Sequence, residues 1–237
     1  MRGVRLHCAI GAGVPAAVSS SINDIKHYFG RHCKRNFFGA FLVLMYIHHL
    51  EMLAAEYPAR LREPLGATAP PKLTALGNRA LLTIPKTALF CSSRCPGRVI
   101  LTTYDQAAKW RDGGRCVISG FHSPVEKECL QILLRGSQPI IICPARSLPQ
   151  RVPPEWKIPL TAGRLLILSA FAATENRVTA ELASRRNEFV AALADEVWFA
   201  HITPGGEMER LSRRVAGWAV PQQVVDISKK DQVRDHF

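Results

Sequence analysis

Short apolar runs in this sequence are followed by small and polar residues whose chemistry suits the binding of phosphate groups. Ser92-Ser93-Arg94 follows one run and offers backbone N–H groups together with a guanidinium. Ser119-Gly120 follows another, and a glycine lets the backbone approach a ligand closely. Further candidates lie at or after two later apolar runs. The complete set of candidate phosphate-binding residues is Ser93, Arg94, Ser119, Gly120, Ser169, Arg186, Asn187, Gly205 and Gly206.

Other reactive side chains fit a structural role better than a catalytic or metal-binding one. The sequence has no G-x-x-x-x-G-K-[ST] loop, no G-x-G-x-x-G loop and no G-x-S-x-G nucleophile. Cys91 and Cys95 are close in sequence, but the next cysteines lie about twenty or more residues away, unlike a zinc site. Trp156 is the tryptophan best placed to stack on a base, although packing in the core is the usual role. We therefore expect no catalytic residue, no metal and no cofactor.

The elements that must position these residues alternate between strands and helices. Strands are predicted for the nearly continuous apolar runs at residues 87–91, 116–119, 139–143, 164–169 and 197–201. Helices are predicted for residues 99–111, 124–134, 155–160, 179–194 and 208–216. This alternation predicts an α/β fold, a Rossmann-like, doubly wound and mostly parallel sheet with helices on both faces. Ligands of such sheets bind outside the carboxyl ends of the strands, where the phosphate-binding candidates would meet.

The chain divides into four regions by composition. We expect a basic N-terminal extension at residues 1–56, a proline-rich lead-in at 57–86, the Rossmann-like domain at 87–221 and a tail at 222–237. The lead-in is expected to drape over the core as an extended linker. Two interpretations of the extension stay open: an amphipathic helix over about residues 38–55, or a segment upstream of a start at Met45 or Met52. Its basic cluster lies too far along the chain for a secretion signal.

Composition narrows the class of protein and of partner. The 237 residues are 47% hydrophobic and 21% charged, as in globular domains. No apolar run approaches the roughly 20 residues that cross a bilayer, and the seven cysteines do not form a secreted disulfide framework. These features predict a soluble protein of the reducing cytoplasm that does not contact membranes. Its net charge of +12 favours an anionic partner, either nucleic acid or a phosphorylated small molecule.

Taken in order, these segments resemble the DNA-processing protein A family (DprA, also called Smf), a Rossmann-like family in the superfamily of the lonely-guy proteins. The lead-in EYPARLREPLGATAPPKLTALGN is similar to the family's tyrosine-proline segment, and Ser93-Arg94 to its Gly-Ser-Arg loop. The segment DGGRCVISGF resembles the family's Ser-Gly signature, and GRLLILSAF resembles its strand that ends in serine. The segment RRNEFVAALADEVWFAHI resembles its Arg-Asn-Arg helix and the strand that follows. In this chain Glu188 stands at the third position of Arg-Asn-Arg, and Pro124 and Glu126 replace a glycine and an aspartate.

The resemblance implies a non-catalytic protein that binds single-stranded DNA in natural transformation or recombination. It also implies a RecA-type recombinase as a partner, and self-association. Arg94, Ser119, Gly120, Arg186 and Asn187 would then line a phosphate-binding crevice. An alternative is a nucleoside-monophosphate phosphoribohydrolase like the lonely-guy relatives, because Pro204-Gly205-Gly206 with Glu209 resembles part of their motif. A domain that senses a nucleotide without turning it over would use the same residues.

Overall fold

An eight-stranded sheet forms the framework of the part of the chain that the structure describes. The computed structural model describes residues 47–225. The strands are β1 Ile47–Glu51, β2 Lys72–Gly77, β3 Lys86–Cys91, β4 Cys116–Ser119, β5 Ile140–Ile142, β6 Leu165–Ser169, β7 Glu196–His201 and β8 Gln222–Val224. Their spatial order is β1-β2-β6-β5-β4-β3-β7-β8. Strands β3 to β8 pair in parallel, and β1 and β2 are antiparallel, which confirms the mostly parallel α/β sheet.

The direction of winding reverses between β3 and β7. From β3 the chain adds β4, β5 and β6 in succession on one side, then crosses back to place β7 on the other side of β3. Each of these strands is almost wholly buried, which explains why the apolar runs predicted them to within one residue. A reversal of this kind opens a crevice at the carboxyl ends of the two strands that flank it.

Helices cover both faces of the sheet. They are α1 Arg62–Leu65, α2 Gly97–Asp112, α3 Pro124–Leu134, α4 Pro154–Thr161, α5 Ala180–Leu193 and α6 Glu207–Ala216. One core cluster packs α2, α3 and α4 against the sheet through residues such as Val99, Leu133 and Leu160. The other packs α1, α5 and α6 through residues such as Leu65, Phe189 and Leu211. No helix within residues 47–225 is long and apolar enough to cross a bilayer.

The helix expected over residues 38–55 is wrong in the part that the structure describes. Ile47–Glu51 form strand β1, which pairs with β2 and buries Leu50 completely. Pairing with a neighbouring strand overrides the helical spacing of apolar residues in a segment this short. Residues 52–55 form turns and a bend, and residues 38–46 of that predicted helix lie outside the described residues.

The lead-in and the start of the tail also contribute strands to the sheet. Lys72–Gly77 in the lead-in form β2, which pairs with β6 rather than draping over the core. Short helical turns, including α1, precede β2 and bury Leu61 and Leu65. In the expected tail, Gln222–Val224 form the edge strand β8 beside β7. Both regions therefore pack on the Rossmann-like core.

Candidate nucleic-acid interface

The loops after β3 and β7 are joined to each other at the reversal of the sheet. The backbone N–H of Ser92 donates to the carbonyl of His201 at 3.0 Å. The Ser92 hydroxyl, in turn, accepts a hydrogen bond from the N–H of Thr203 at 2.9 Å. Ser92 is buried, whereas Ser93 and Arg94, which follow it, are exposed. Ser92 stands at the position of glycine in the Gly-Ser-Arg loop that this segment resembles. Its two hydrogen bonds hold the base of the loop that exposes Arg94 to solvent.

The Gly205-Gly206 turn is present, but the protein's own groups fill its hydrogen-bonding sites. The N–H of Gly205 donates to the Glu209 carboxylate at 2.8 Å, and the N–H of Gly206 to the carbonyl of Thr203 at 3.0 Å. Gly205 has a left-handed backbone with φ of +71°, which explains the glycine there. Glu209 also pairs with Arg213 at 3.0 Å. A carboxylate of this chain therefore stands where the turn would receive an anion.

A second carboxylate organises the loop after β4. Glu126 is buried and accepts hydrogen bonds from the N–H of Cys91 at 2.9 Å, of His122 at 2.8 Å and of Ser123 at 3.3 Å. The Ser123 hydroxyl accepts from the N–H of Glu126, which completes a capping box at the start of α3. Glu126 therefore ties the end of β3 to the β4–α3 turn. Sequence reasoning missed this role, although the Ser-x-x-Glu spacing signals it.

Arg186 is buried beneath the same edge of the sheet and does not face solvent. Its side chain packs so closely on Gly120 that a Cβ there would lie 1.2 Å from Nη1. Nη1 donates to the carbonyl of Cys143 at 3.1 Å, and Nε donates to Asn187 Oδ1 at 2.8 Å. Burial lowers the pKa of Arg186, and the nearby Glu126 carboxylate opposes that shift. Arg186, Asn187 and Gly120 thus form one internal contact linking α5 to the ends of β4 and β5.

The serines at the strand ends use their hydroxyls within the protein. Ser119 accepts a hydrogen bond from the N–H of Phe121 at 3.1 Å. Ser169 accepts one from the N–H of Phe171 at 3.1 Å and donates to the carbonyl of Arg146 at 2.8 Å. Both serines are fully buried or nearly so. They shape the turns after β4 and β6 and leave the exposed positions to other residues.

Exposed arginines occupy the loops at this carboxyl edge. Arg146 lies in the loop after β5, and Arg177 in the loop after β6. Together with Arg94 they are exposed, and no carboxylate within residues 47–225 pairs with any of the three. Sequence reasoning missed Arg146 and Arg177, whose only signal was an arginine soon after a predicted strand. The carboxyl edge of the sheet therefore carries a row of cations.

The remaining sequence candidates take structural positions. Trp156 lies on α4 and packs, half-buried, against the core. Burial raises the pKa of the Cys116, Cys129 and Cys143 thiols to about 12, so they stay protonated and unreactive. Within the described part of the chain, no group of three His, Cys, Asp or Glu side chains is arranged to hold a metal ion.

Solved structures similar to this chain include two DNA processing proteins that share its fold. DNA processing protein A of Streptococcus pneumoniae is 19% identical, with a TM-score of 0.64 over 81% of this chain and 67% of that one. DNA processing protein A of Helicobacter pylori, described for its mode of binding single-stranded DNA, is 22% identical. Its TM-score is 0.60 over 77% of this chain and 81% of that one. Identities this low establish a shared fold alone. Comparison with curated proteins finds no match.

A family comparison goes further than the fold. The sequence model of the family described as DNA recombination-mediator protein A matches residues 48–202. That span begins in β1 and continues to the residue after β7, so it contains six of the eight strands in full and part of β1. It also includes the Ser93-Arg94 loop, the Ser119-Gly120 turn and the Arg186-Asn187 pair. Because the match covers well over half of the chain, the protein belongs to the DNA recombination-mediator protein A family.

Proposed function

We propose that this protein binds single-stranded DNA along the carboxyl edge of its sheet and acts without catalysis. The observation that carries the proposal is the row of exposed arginines Arg94, Arg146 and Arg177 at that edge, none of which forms an ion pair with a carboxylate of the described residues. Guanidinium groups on loops held by a rigid sheet suit phosphate oxygens. The Helicobacter pylori relative of the same fold, described as binding single-stranded DNA, supports this class of ligand.

The sequence candidates divide into three roles under this proposal. Ser93 and Arg94 are exposed and would contact phosphate directly. Gly120, Ser119, Ser169, Arg186 and Asn187 would act as positioning residues that hold the loops. Gly205 and Gly206 would shape the neighbouring turn, because their N–H groups already have acceptors.

Binding should depend strongly on salt and weakly on base sequence. Phosphate contacts release condensed counterions, with a slope of about −0.7 per phosphate in a plot of log K against log salt for single strands. Three arginine contacts would therefore give a slope of about −2. Contacts to phosphate position a strand but do not select its bases.

The first test measures binding of a fluorescent single-stranded oligonucleotide across a salt series. We expect Arg94→Ala to weaken binding by about 5- to 10-fold and to reduce the salt slope by about 0.7. Arg135→Ala is the matched control, because Arg135 is an exposed arginine at the end of α3, on the opposite edge of the sheet. Equal binding by Arg94→Ala and Arg135→Ala would refute the assignment of this edge.

Family membership also suggests partners for the assembled complex. We include a RecA-type recombinase and a second copy of this chain among the partners of the proposed function. Sedimentation of the purified protein with and without single-stranded DNA would test self-association. Co-sedimentation with recombinase filaments would test the other contact.

A further inference from the structure

A pocket of about 250 Å³ lies beside the carboxyl end of β6, on the face of the sheet covered by α5 and α6. Leu65 from the lead-in and Phe189 from α5 contribute apolar walls. Its volume is below the roughly 300–1,000 Å³ of sites for drug-sized ligands. The pocket therefore suits a group about as large as one nucleobase, and none of the phosphate-binding candidates lines it.

One wall of the pocket holds a cation–π contact. The Arg185 guanidinium lies over the ring of Phe171, 5.6 Å from the ring centroid. The Arg185 side chain remains 54% exposed, and its contact with Glu175 is long, at 3.8 Å. A guanidinium plane supported by an aromatic ring is a surface on which nucleic-acid bases stack.

Another wall presents a hydrogen-bond donor and an acceptor side by side. Glu188 on α5 pairs with Arg214 on α6, and both line the pocket. The edge of every nucleobase carries neighbouring N–H donors, ring nitrogens or carbonyl oxygens, so an adjacent carboxylate and guanidinium can pair with it. Glu188 stands at the third position of the segment that resembles the Arg-Asn-Arg motif, and its carboxylate contributes a negative charge to this pocket.

We propose that this pocket binds a nucleobase, which stacks on Arg185 and hydrogen-bonds through its edge to Glu188 and Arg214. The base can belong to a bound single strand or to a free mononucleotide, since both offer the same planar ring. Binding of a base from single-stranded DNA rests on the proposed function. Binding of a free nucleotide does not depend on it.

The pocket lies within reach of a strand held at the arginine row. Three strand spacings separate β6 from β3, about 14 Å at 4.7–4.9 Å each. Even a stacked strand, with a rise of about 3.4 Å per nucleotide, would cover this distance in about four nucleotides. Along the sheet, a strand of about this length therefore spans from the β3 loop that carries Arg94 to the β6 loop beside the pocket.

The test compares ligands with and without a base, using the full chain and titration calorimetry. We expect dGMP to bind saturably and 2-deoxyribose 5-phosphate to bind at least tenfold more weakly. Arg185→Ala should weaken dGMP binding about tenfold. Arg213 is an exposed arginine that neighbours Arg214 in sequence and pairs with Glu209. Arg213→Ala should therefore change dGMP binding less than twofold. No dGMP binding, equal binding of the two ligands, or equal effects of the two variants would overturn the proposal.

A second measurement separates the pocket from the DNA-binding proposal. A single strand carrying one 2-aminopurine should lose fluorescence when that base stacks on Arg185, and the loss should diminish in Arg185→Ala. If dGMP binding depends on Arg185 but no oligonucleotide binds, the pocket stands and the DNA-binding proposal fails. If oligonucleotide binding depends on Arg94 but neither ligand responds to Arg185→Ala, the pocket proposal fails alone.

Discussion

Two arginines of the family motifs show how the surroundings of a residue decide its role. Arg94 follows β3 on an exposed loop, whereas Arg186 on α5 is only 4% exposed and donates to the carbonyl of Cys143. Burial lowers the pKa of Arg186 because a charged group loses its hydration there. A buried cation with internal acceptors stabilises the loops, while an exposed one remains available to phosphate.

Gly120 provides a test of the buried contact at the level of a single residue. We expect Gly120→Ala to lower the free energy of unfolding by about 1–3 kcal/mol, because the new Cβ would collide with the Arg186 guanidinium. The same substitution in an Arg186→Ala background should cost much less, since the space is vacated. Urea denaturation of the parent protein, the two single variants and the double variant measures the difference between the two costs. An equal cost in both backgrounds would show that the contact is absent.

At the scale of elements, the β4–α3 turn depends on one carboxylate. Glu126 accepts from three backbone N–H groups, and one of them belongs to Cys91 at the end of β3. A buried N–H that loses its acceptor costs about 1–3 kcal/mol. The turn after β4 and the loop that presents Arg94 are therefore stabilised by the same side chain.

We expect Glu126→Ala to lower the free energy of unfolding by about 2–3 kcal/mol. Ser123→Ala, which removes only the cap of α3, should cost about 1 kcal/mol. Glu128→Ala on the same helix is exposed and should stay within about 0.5 kcal/mol of the parent protein. Chemical denaturation compares the three. A Glu126→Ala protein as stable as Glu128→Ala would contradict the role of Glu126 as a shared acceptor.

For the whole molecule, Asp195 connects the lead-in to the core. The carboxylate of Asp195 accepts from the N–H of Lys86 at 2.8 Å and pairs with Arg60 and with the buried Lys86 ammonium. Burial raises the pKa of Asp195, but the Lys86 N–H and the two cations outweigh it, so the net pKa is lowered. Residues before β2 are in this way held against the loop between α5 and β7.

The Asp195→Ala variant tests this connection through its dependence on pH. A lowered pKa means that the folded protein favours the carboxylate, so the stabilisation is present above the unfolded pKa of about 3.9. It should disappear as pH falls through the folded pKa. We expect Asp195→Ala to lower the free energy of unfolding by about 1–2 kcal/mol at pH 7 and by less below about pH 4. Urea denaturation at the two pH values measures this. Asp112→Ala, which removes an exposed carboxylate, is the control and should show little change at either pH.

The central strands could be predicted because each is a nearly continuous apolar run buried on both faces. The outer strands β1, β2 and β8 could not be predicted, since they have mixed polarity and become strands only through their neighbours. Among the site residues, Arg94 lies in an exposed loop as the motif implied, but nothing in the motif distinguished it from the buried Arg186. Motif position places a residue at an edge of the sheet and leaves its exposure undetermined.

Hydrophobic period and turn residues act locally, so the sequence alone predicts the order of the central strands along the chain and the edge where polar residues collect. Its motifs identify the family. Packing between distant segments determines which cations face solvent and which N–H groups donate to Glu126 and Glu209. It also brings together one pocket from Phe171, Arg185, Glu188 and Arg214. These outcomes depend on contacts between segments far apart in the chain. Burial and hydrogen-bond partners are properties of such contacts, so they are decided when the helices pack on the sheet.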